Sequence, residues 1–326
     1  MSMTNDNDTN NDSDATTPAS NATAAPVTGD QDVPSARALL GRAALGALAP
    51  SLGPAARWLG VPVPGGSDLP DRTVRSEVVV DAGQAAAYAR VVGARVGGPV
   101  PPLLVHVLGF APSLELLTGP GMPFPLLGLV HVAQHVTVHA PVHVGDRLQL
   151  AVEARDLRPH RAGRVFDVAL SAHRDGELVW EGTSAYLRRG RDGDADASSP
   201  GPSDPPDRAD DALRLDVPAD IGRRYARVAG DANPIHLSAL SARAFGFPRA
   251  IAHGMWTLAR VVASLEGRVP ERITLGARFE KPVLLPARTA LTTVAAAGGW
   301  RMALHDARDG DVRHCTVEVA PAGVRQ

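Results

Sequence analysis

The segment Gly230-Asp231-Ala232-Asn233-Pro234-Ile235-His236 holds residue types that could do chemistry. Gly230 can take a left-handed backbone, Asn233 can bond its side chain to the backbone, and Pro234 keeps a preceding helix from continuing. Those three explain a turn. They leave His236 unexplained, because a turn has no need of an imidazole. A carboxylate and an imidazole five residues apart on a non-helical loop can converge on one water molecule. Imidazole titrates near neutrality and the carboxylate can orient or share its proton, which suits general acid–base work.

A second element follows in Ala252-His253-Gly254-Met255. Apolar residues at Met255, Leu258, Val261, Val262 and Leu265 predict a long helix over 254–266, with Gly254 at its start. Unpaired N–H groups at a helix N-terminus favour negative charge, and a glycine there lets a ligand carbonyl approach closely. Ordinary helix packing accounts for Gly254 equally well. Together with Asp231 and His236, the amide completes a minimum kit for adding or removing water beside a carbonyl.

The elements around these residues follow from periodicity. Asp220 is placed to cap a short helix that carries Tyr225 and stops at Gly230, and 238–245 is a second short helix. After Gly267 the period becomes two, with Ile273, Leu275, Ala277 and Phe279 on one face. Strand-like runs at 289–297, 301–307 and 312–319 come next. Helices followed by consecutive antiparallel strands predict an α+β unit whose sheet packs on the central helix.

The first half repeats the strands at 129–138, 147–157, 164–174 and 178–188. Pro101, Pro102 and Pro112 interrupt its helical part, leaving one short helix at 112–118 and open space in that layer. Tyr88-Ala-Arg-Val-Val-Gly93 matches Tyr225-Ala-Arg-Val-Ala-Gly230 at an offset of 137, and Pro141-Val142 matches Pro282-Val283 at 141. Two matches in order indicate a duplicated unit. The domain plan is therefore a disordered tail at 1–35, an extension at 36–71, a first unit at 72–189, a linker at 190–212 and a second unit at 213–326. Within the extension, Leu40, Ala44 and Leu48 suggest a docked helix.

Composition excludes several functions. The chain has 326 residues and one cysteine, Cys315, so disulfide scaffolds and cysteine zinc sites are out. Its single lysine, Lys281, precedes a proline, so there is no phosphate loop. The net charge is −2; residues 1–36 hold six aspartates, leaving +4 on 37–326, too little for a nucleic-acid binder. With no apolar run of 18 residues, no stable membrane span is expected. The absence of a basic-then-apolar leader makes the cytoplasm the expected compartment.

The segment from Tyr225 to His236, followed by His253-Gly254, resembles the MaoC-like, or hydratase 2, family of (R)-specific enoyl-thioester hydratases. The resemblance extends over both halves and implies a double hot-dog fold, two tandem units each with a central helix wrapped by antiparallel sheet. It implies that Asp231 and His236 activate water and that the Gly254 amide binds the thioester oxygen, with Asn233 and His253 beside the substrate. The substrate would be an acyl thioester of coenzyme A or of an acyl-carrier protein, in fatty-acid metabolism, with no cofactor and no metal. At the 137 offset Ala94 stands for Asp231 and Pro99 for His236, so no second active site is expected. Where short bacterial members often carry a serine, this chain has Val262, with Ser264 nearby in sequence. A non-catalytic acyl-thioester-binding module and a hot-dog thioesterase are the rival readings. The pseudo-dimeric chain could be complete alone or pair again as a homodimer.

Two further features invite a role. His131, His135, His139 and His143 recur every four residues, as zinc ligands do on a helix. The alternating valines make the segment a strand, on which four residues span about 13 Å, too far to share one ion. Same-face histidines lining a surface or tunnel are the expectation. Arg243, Arg249 and Arg278 could meet coenzyme A phosphates or an acidic carrier protein.

Overall fold

The computed structural model of the chain describes residues 67–190, 200–202, 204–296 and 298–323. The readings made for residues 1–66 and 191–199 lie outside it. The first half runs β1 (Thr73–Val79), α1 (Ala82–Val92), α2 (Leu104–Leu108), α3 (Phe110–Thr118), β2 (Leu129–Val138), β3 (Arg147–His160), β4 (Gly163–Arg174) and β5 (Glu177–Arg189). The second runs β6 (Leu213–Val217), α4 (Ile221–Ala229), α5 (Pro234–Leu237), α6 (Ala239–Ala244), α7 (Gly254–Ala263), β7 (Ile273–Phe279), β8 (Ala287–Ala296), β9 (Gly299–Asp306) and β10 (Arg313–Pro321).

The ten strands form one sheet in the order β1-β3-β4-β5-β2-β7-β10-β9-β8-β6. Each half therefore has the same internal order, and the two meet where β2 pairs antiparallel with β7, Ala133 opposite Arg278 through Thr137 opposite Thr274. The edge strands β1 and β6 escape the sequence reading because charged residues break their short apolar pattern (TVRSEVV and LRLDV).

Matching sequence builds matching geometry. The α1 helix opens on Asp81, whose Oδ1 accepts from the Gln84 N–H at 2.7 Å, and closes on Gly93 at φ 74°. The α4 helix closes on Gly230 at φ 75°, a left-handed conformation that glycine adopts without a Cβ penalty. Asp220 stands at its cap position but makes no side-chain cap bond. The duplicated tyrosines, Tyr88 and Tyr225, lie with ring centroids 6.2 Å apart, both fully enclosed. Trp256 Nε1 donates to the Val91 carbonyl at 3.0 Å, and Gln84 Nε2 to the Val228 carbonyl at 3.2 Å, so the helices of one half are tied to the other. A single buried apolar cluster runs through both halves, from Leu148 and Phe166 to Leu258 and Val317.

Three sequence expectations need correction. The proline-rich stretch holds two helices, α2 and α3, rather than one. Pro112 is the third residue of α3, where its missing N–H would have had no intrahelical partner anyway. The Trp180 indole donates to the Pro102 carbonyl at 2.9 Å and pins the chain ahead of α2. The α7 helix ends at Ala263, where Ser264 Oγ bonds the Val261 carbonyl at 2.6 Å. Finally, the four histidines do not share a face. His131 pairs with Tyr186 and Ala133 with Ala185, leaving Val132 as an extra, bulged residue. The bulge turns His131 to the inner face, whereas His135 stays exposed and His139 bonds Glu181 at 2.9 Å on the outside. His143 lies beyond the end of the strand.

Candidate active site

The turn after α4 is built by its own side chains. Asp231 Oδ1 accepts the Asn233 N–H at 3.1 Å, and Asn233 Oδ1 accepts the Ile235 N–H at 3.4 Å. Pro234 occupies the first position of α5, which suits its fixed φ. His236 therefore lies within a single helical turn, not on the non-helical loop that the sequence suggested. One residue outside the turn makes room for it: a Cβ on Gly222, in α4, would sit 2.0 Å from the His236 carbonyl oxygen.

The ring of His236 is fixed from behind. Its Nδ1 lies 2.9 Å from the Ile251 carbonyl, which can only accept, so Nδ1 carries the proton and Nε2 keeps a lone pair. Ile251 is itself held by an isolated bridge to Leu284 and by the flanking Ala252 N–H···Val283 and Leu285 N–H···Ala250 bonds. The His253 ring stacks on His236 at 3.6 Å between centroids and 24° between planes. His253 Nε2 donates to the Asp231 backbone carbonyl at 3.0 Å and lies 3.7 Å from Asp231 Oδ2. Tyr225 also packs against His253, 4.9 Å between centroids.

Burial, followed by the neighbouring His253, pushes His236 down to about 3, against the opposing pull of Asp231 and the Ile251 bond. Burial also lowers His253. Both rings are thus neutral at working pH, and His236 presents an unprotonated nitrogen, as a base requires. Beside them, Gly254 opens α7, where its N–H has no carbonyl four residues back to meet. A Cβ there would lie 3.4 Å from the Phe279 ring, in van der Waals contact with it.

Asp231, His236 and His253 each bring one ligand-type atom within 4.8 Å of the others. Such a cluster could hold a cation, but one nitrogen of each imidazole is already spent on a carbonyl. The structure separates the remaining sequence candidates. Asn233 spends its carboxamide oxygen on the turn. His253, 3% exposed, stacks on His236 and bonds the Asp231 carbonyl, so its ring braces the pair. Ser264 is committed to its helix terminus and Val262 is buried, so neither supports the pair. Arg278 binds the Pro200 and Gly201 carbonyls and anchors the segment after β5. Arg243 and Arg249 are exposed, each with a long bond to a proline carbonyl. Sequence reasoning missed Gly222, Tyr225 and the Ile251 carbonyl as parts of the site. Of these only Tyr225 left a signal, through its duplicate Tyr88.

Comparison with known proteins places the chain in a family. Residues 202–309 match the MaoC like domain family. The 3-hydroxyacyl-thioester dehydratase X of Mycobacterium tuberculosis is 38% identical over 250 residues, 76% of this chain and 89% of that protein. The crystal structure of HtdX from the same organism superposes with a TM-score of 0.68 at 35% identity, covering 77% of this chain and 100% of that one. A MaoC-like dehydratase from Phytophthora capsici, 16% identical, shares the fold with a TM-score of 0.63 over 78% of this chain and 96% of that one. With its duplicated, helix-backed sheet and its Asp-His turn, the chain belongs to the MaoC-like dehydratase family and has the double hot-dog fold.

Proposed function

We propose that this hydro-lyase catalyses the reversible hydration of trans-2-enoyl thioesters, the reverse being dehydration of (3R)-3-hydroxyacyl thioesters, with Asp231 and His236 as its acid–base pair. The observation that carries the reading is the convergence of Asp231 and a neutral, rigidly held His236 within 4.8 Å of one another, beside the start of α7. Water held between them attacks C3 of the enoyl thioester. His236 Nε2 takes the water proton, Asp231 stabilises the imidazolium that forms, and a proton returns from the pair to C2. The thioester oxygen gains negative charge as this happens, and the Gly254 N–H meets it. Removal of one such donor typically raises a barrier by about 3–4 kcal/mol.

The chemistry draws on no cofactor, because coenzyme A or phosphopantetheine arrives as part of the substrate. The split helices α2 and α3 give the first half room for the acyl chain. Loss of the enoyl-thioester absorbance tests the reading, with several chain lengths on both carriers and chiral analysis of the product. Asp231→Asn and His236→Ala are expected to abolish turnover with an unchanged circular dichroism spectrum. Near-normal rates in either variant would overturn the assignment. Activity confined to short acyl chains would overturn the role given to the first half.

A further inference from the structure

The bulge at Val132 delivers an imidazole to the interior, and the mechanism above makes no use of it. Regular alternation from Gln134 and Val136, both buried, would turn position 131 outward; the extra residue reverses that. His131 then stacks on Tyr186 at 4.9 Å and meets Phe279 edge-on at 5.0 Å. Phe279 is the ring that faces Gly254. From Tyr186 the aromatic contacts continue to Phe166 at 6.0 Å and on to Phe124 at 5.9 Å from Phe166. A row of rings thus leads from the proposed oxyanion amide into the first half, starting at Phe279, polar at His131 and Tyr186, and apolar again at Phe166 and Phe124. His106, on α2, lies 6.3 Å from His131 and has no hydrogen-bond partner among the described residues.

Four of these side chains are not sealed off. His106, His131, Tyr186 and Phe279 each keep part of their surface accessible. Protein nevertheless surrounds them closely enough that burial holds His106 near 4 and His131 near 3, and the charge of Asp231 reaches both. His131 spends its Nε2–H on the Ala133 carbonyl at 2.9 Å and also meets the Gln134 side chain, whereas His106 keeps both ring nitrogens unspent among the described residues. A pocket meant only for hydrocarbon has no use for two neutral imidazoles, one of them, His106, with its hydrogen-bonding capacity unspent.

We infer that His106 and His131 form a polar subsite of the acyl pocket, selecting thioesters whose chain carries a hydroxyl or keto oxygen beyond C3. The inference rests on the proposed active site and deepens it by naming the substrate class. A site that hydrogen-bonds a substrate oxygen rejects the analogue lacking it, because its own buried groups are left unpaired.

The test compares kcat/KM for two enoyl-CoA thioesters of equal length, one with a chain hydroxyl and one without. Wild type is expected to prefer the hydroxylated substrate by about 10-fold or more. His106→Leu should bring that ratio close to one, and His106→Gln, which keeps a donor and an acceptor, should restore much of it. A ratio near one in the wild type, or a ratio untouched in His106→Leu, would overturn the subsite. Calorimetric binding of the corresponding saturated acyl-CoA pair separates the two readings. A binding preference without turnover upholds the subsite and sinks the hydratase assignment. Turnover without preference does the opposite.

Discussion

The two halves of the chain diverge between a pair of shared anchors. In the first, α1 ends on the left-handed Gly93, and the chain rejoins the scaffold where the Val100 N–H meets the Val142 carbonyl at 2.8 Å. In the second, α4 ends on the left-handed Gly230, and the chain rejoins where the Ala252 N–H meets the Val283 carbonyl at 2.9 Å. Only a short link, residues 93–100, spans that interval in the first half. The second half fills it with the Asp231 turn, α5 and α6. The scaffold is common to both, and Asp231 and His236, the pair proposed for acid–base work, belong to one inserted segment. The helix that follows differs in the opposite sense: intact as α7 in the second half, broken into α2 and α3 in the first.

Asp231 and His236 carry the largest expected asymmetry. Each of Asp231→Asn and His236→Ala should reduce kcat about 10²–10⁴-fold. Placing the same pair in the first half of that inactive protein, as Ala94→Asp with Pro99→His, should restore nothing, because residues 93–100 have no one-turn helix to aim an imidazole. Recovered hydratase activity would show that the insertion is dispensable. A sharper comparison lies one helix earlier. At the 137 offset Gly222 corresponds to Ala85, a buried alanine with no histidine turn behind it. Gly222→Ala drives a methyl group toward the His236 carbonyl and should cut kcat at least about 10-fold by displacing the ring. Ala85→Gly should cost only about 0.5–1 kcal/mol in a denaturant melt and leave kcat alone. Equal effects on kcat would mean that Gly222 does not shape the site.

Tyr88 and Tyr225 allow a subtler version of the same experiment. Both are buried and each touches the other, so replacement by leucine should lower Tm comparably. Only Tyr225 also packs on His253. Tyr225→Leu should therefore slow turnover several-fold beyond its effect on folding, whereas Tyr88→Leu should not. Identical kcat values in the two variants would remove Tyr225 from the support of the pair.

What could be read ahead of the coordinates follows physical range. The left-handed stops at Gly93 and Gly230, the period-two strands and the apolar face of α7 are local, and periodicity and turn chemistry express them directly. His236 stood out in the sequence because a turn has no need of an imidazole, and Gly254 by its place at the helix start, where packing explains a glycine equally well. Gly222 was not, since its role is a close approach between segments that no pattern encodes. Nor was the Ile251 carbonyl, because a backbone oxygen has no side-chain identity to notice. His131 was misjudged for a related reason. A four-residue spacing on a regular strand keeps one face, and only pairing with Tyr186 and Ala185 on β5 reveals the bulge that flips it.

The last expected effect concerns acid and stability, not turnover, and it joins the halves instead of dividing them. His106 and His131 in the first half and His236 in the second are held neutral, their values lowered from 6.5 to about 4, 3 and 3, chiefly by burial. In the unfolded chain each takes up a proton below about 6.5. Unfolding therefore binds protons between that pH and the folded values. Stability is fully present above pH 6.5 and drains away as pH falls, by about 1.4 kcal/mol per pH unit for each histidine. Urea midpoints measured from pH 7 to 5 should decline accordingly. Replacing His106 with leucine or His131 with phenylalanine should each flatten the decline by one proton's worth. An unchanged slope in both variants would mean that these rings already charge in the folded state, and the neutral imidazoles on which the polar subsite depends would be lost with them.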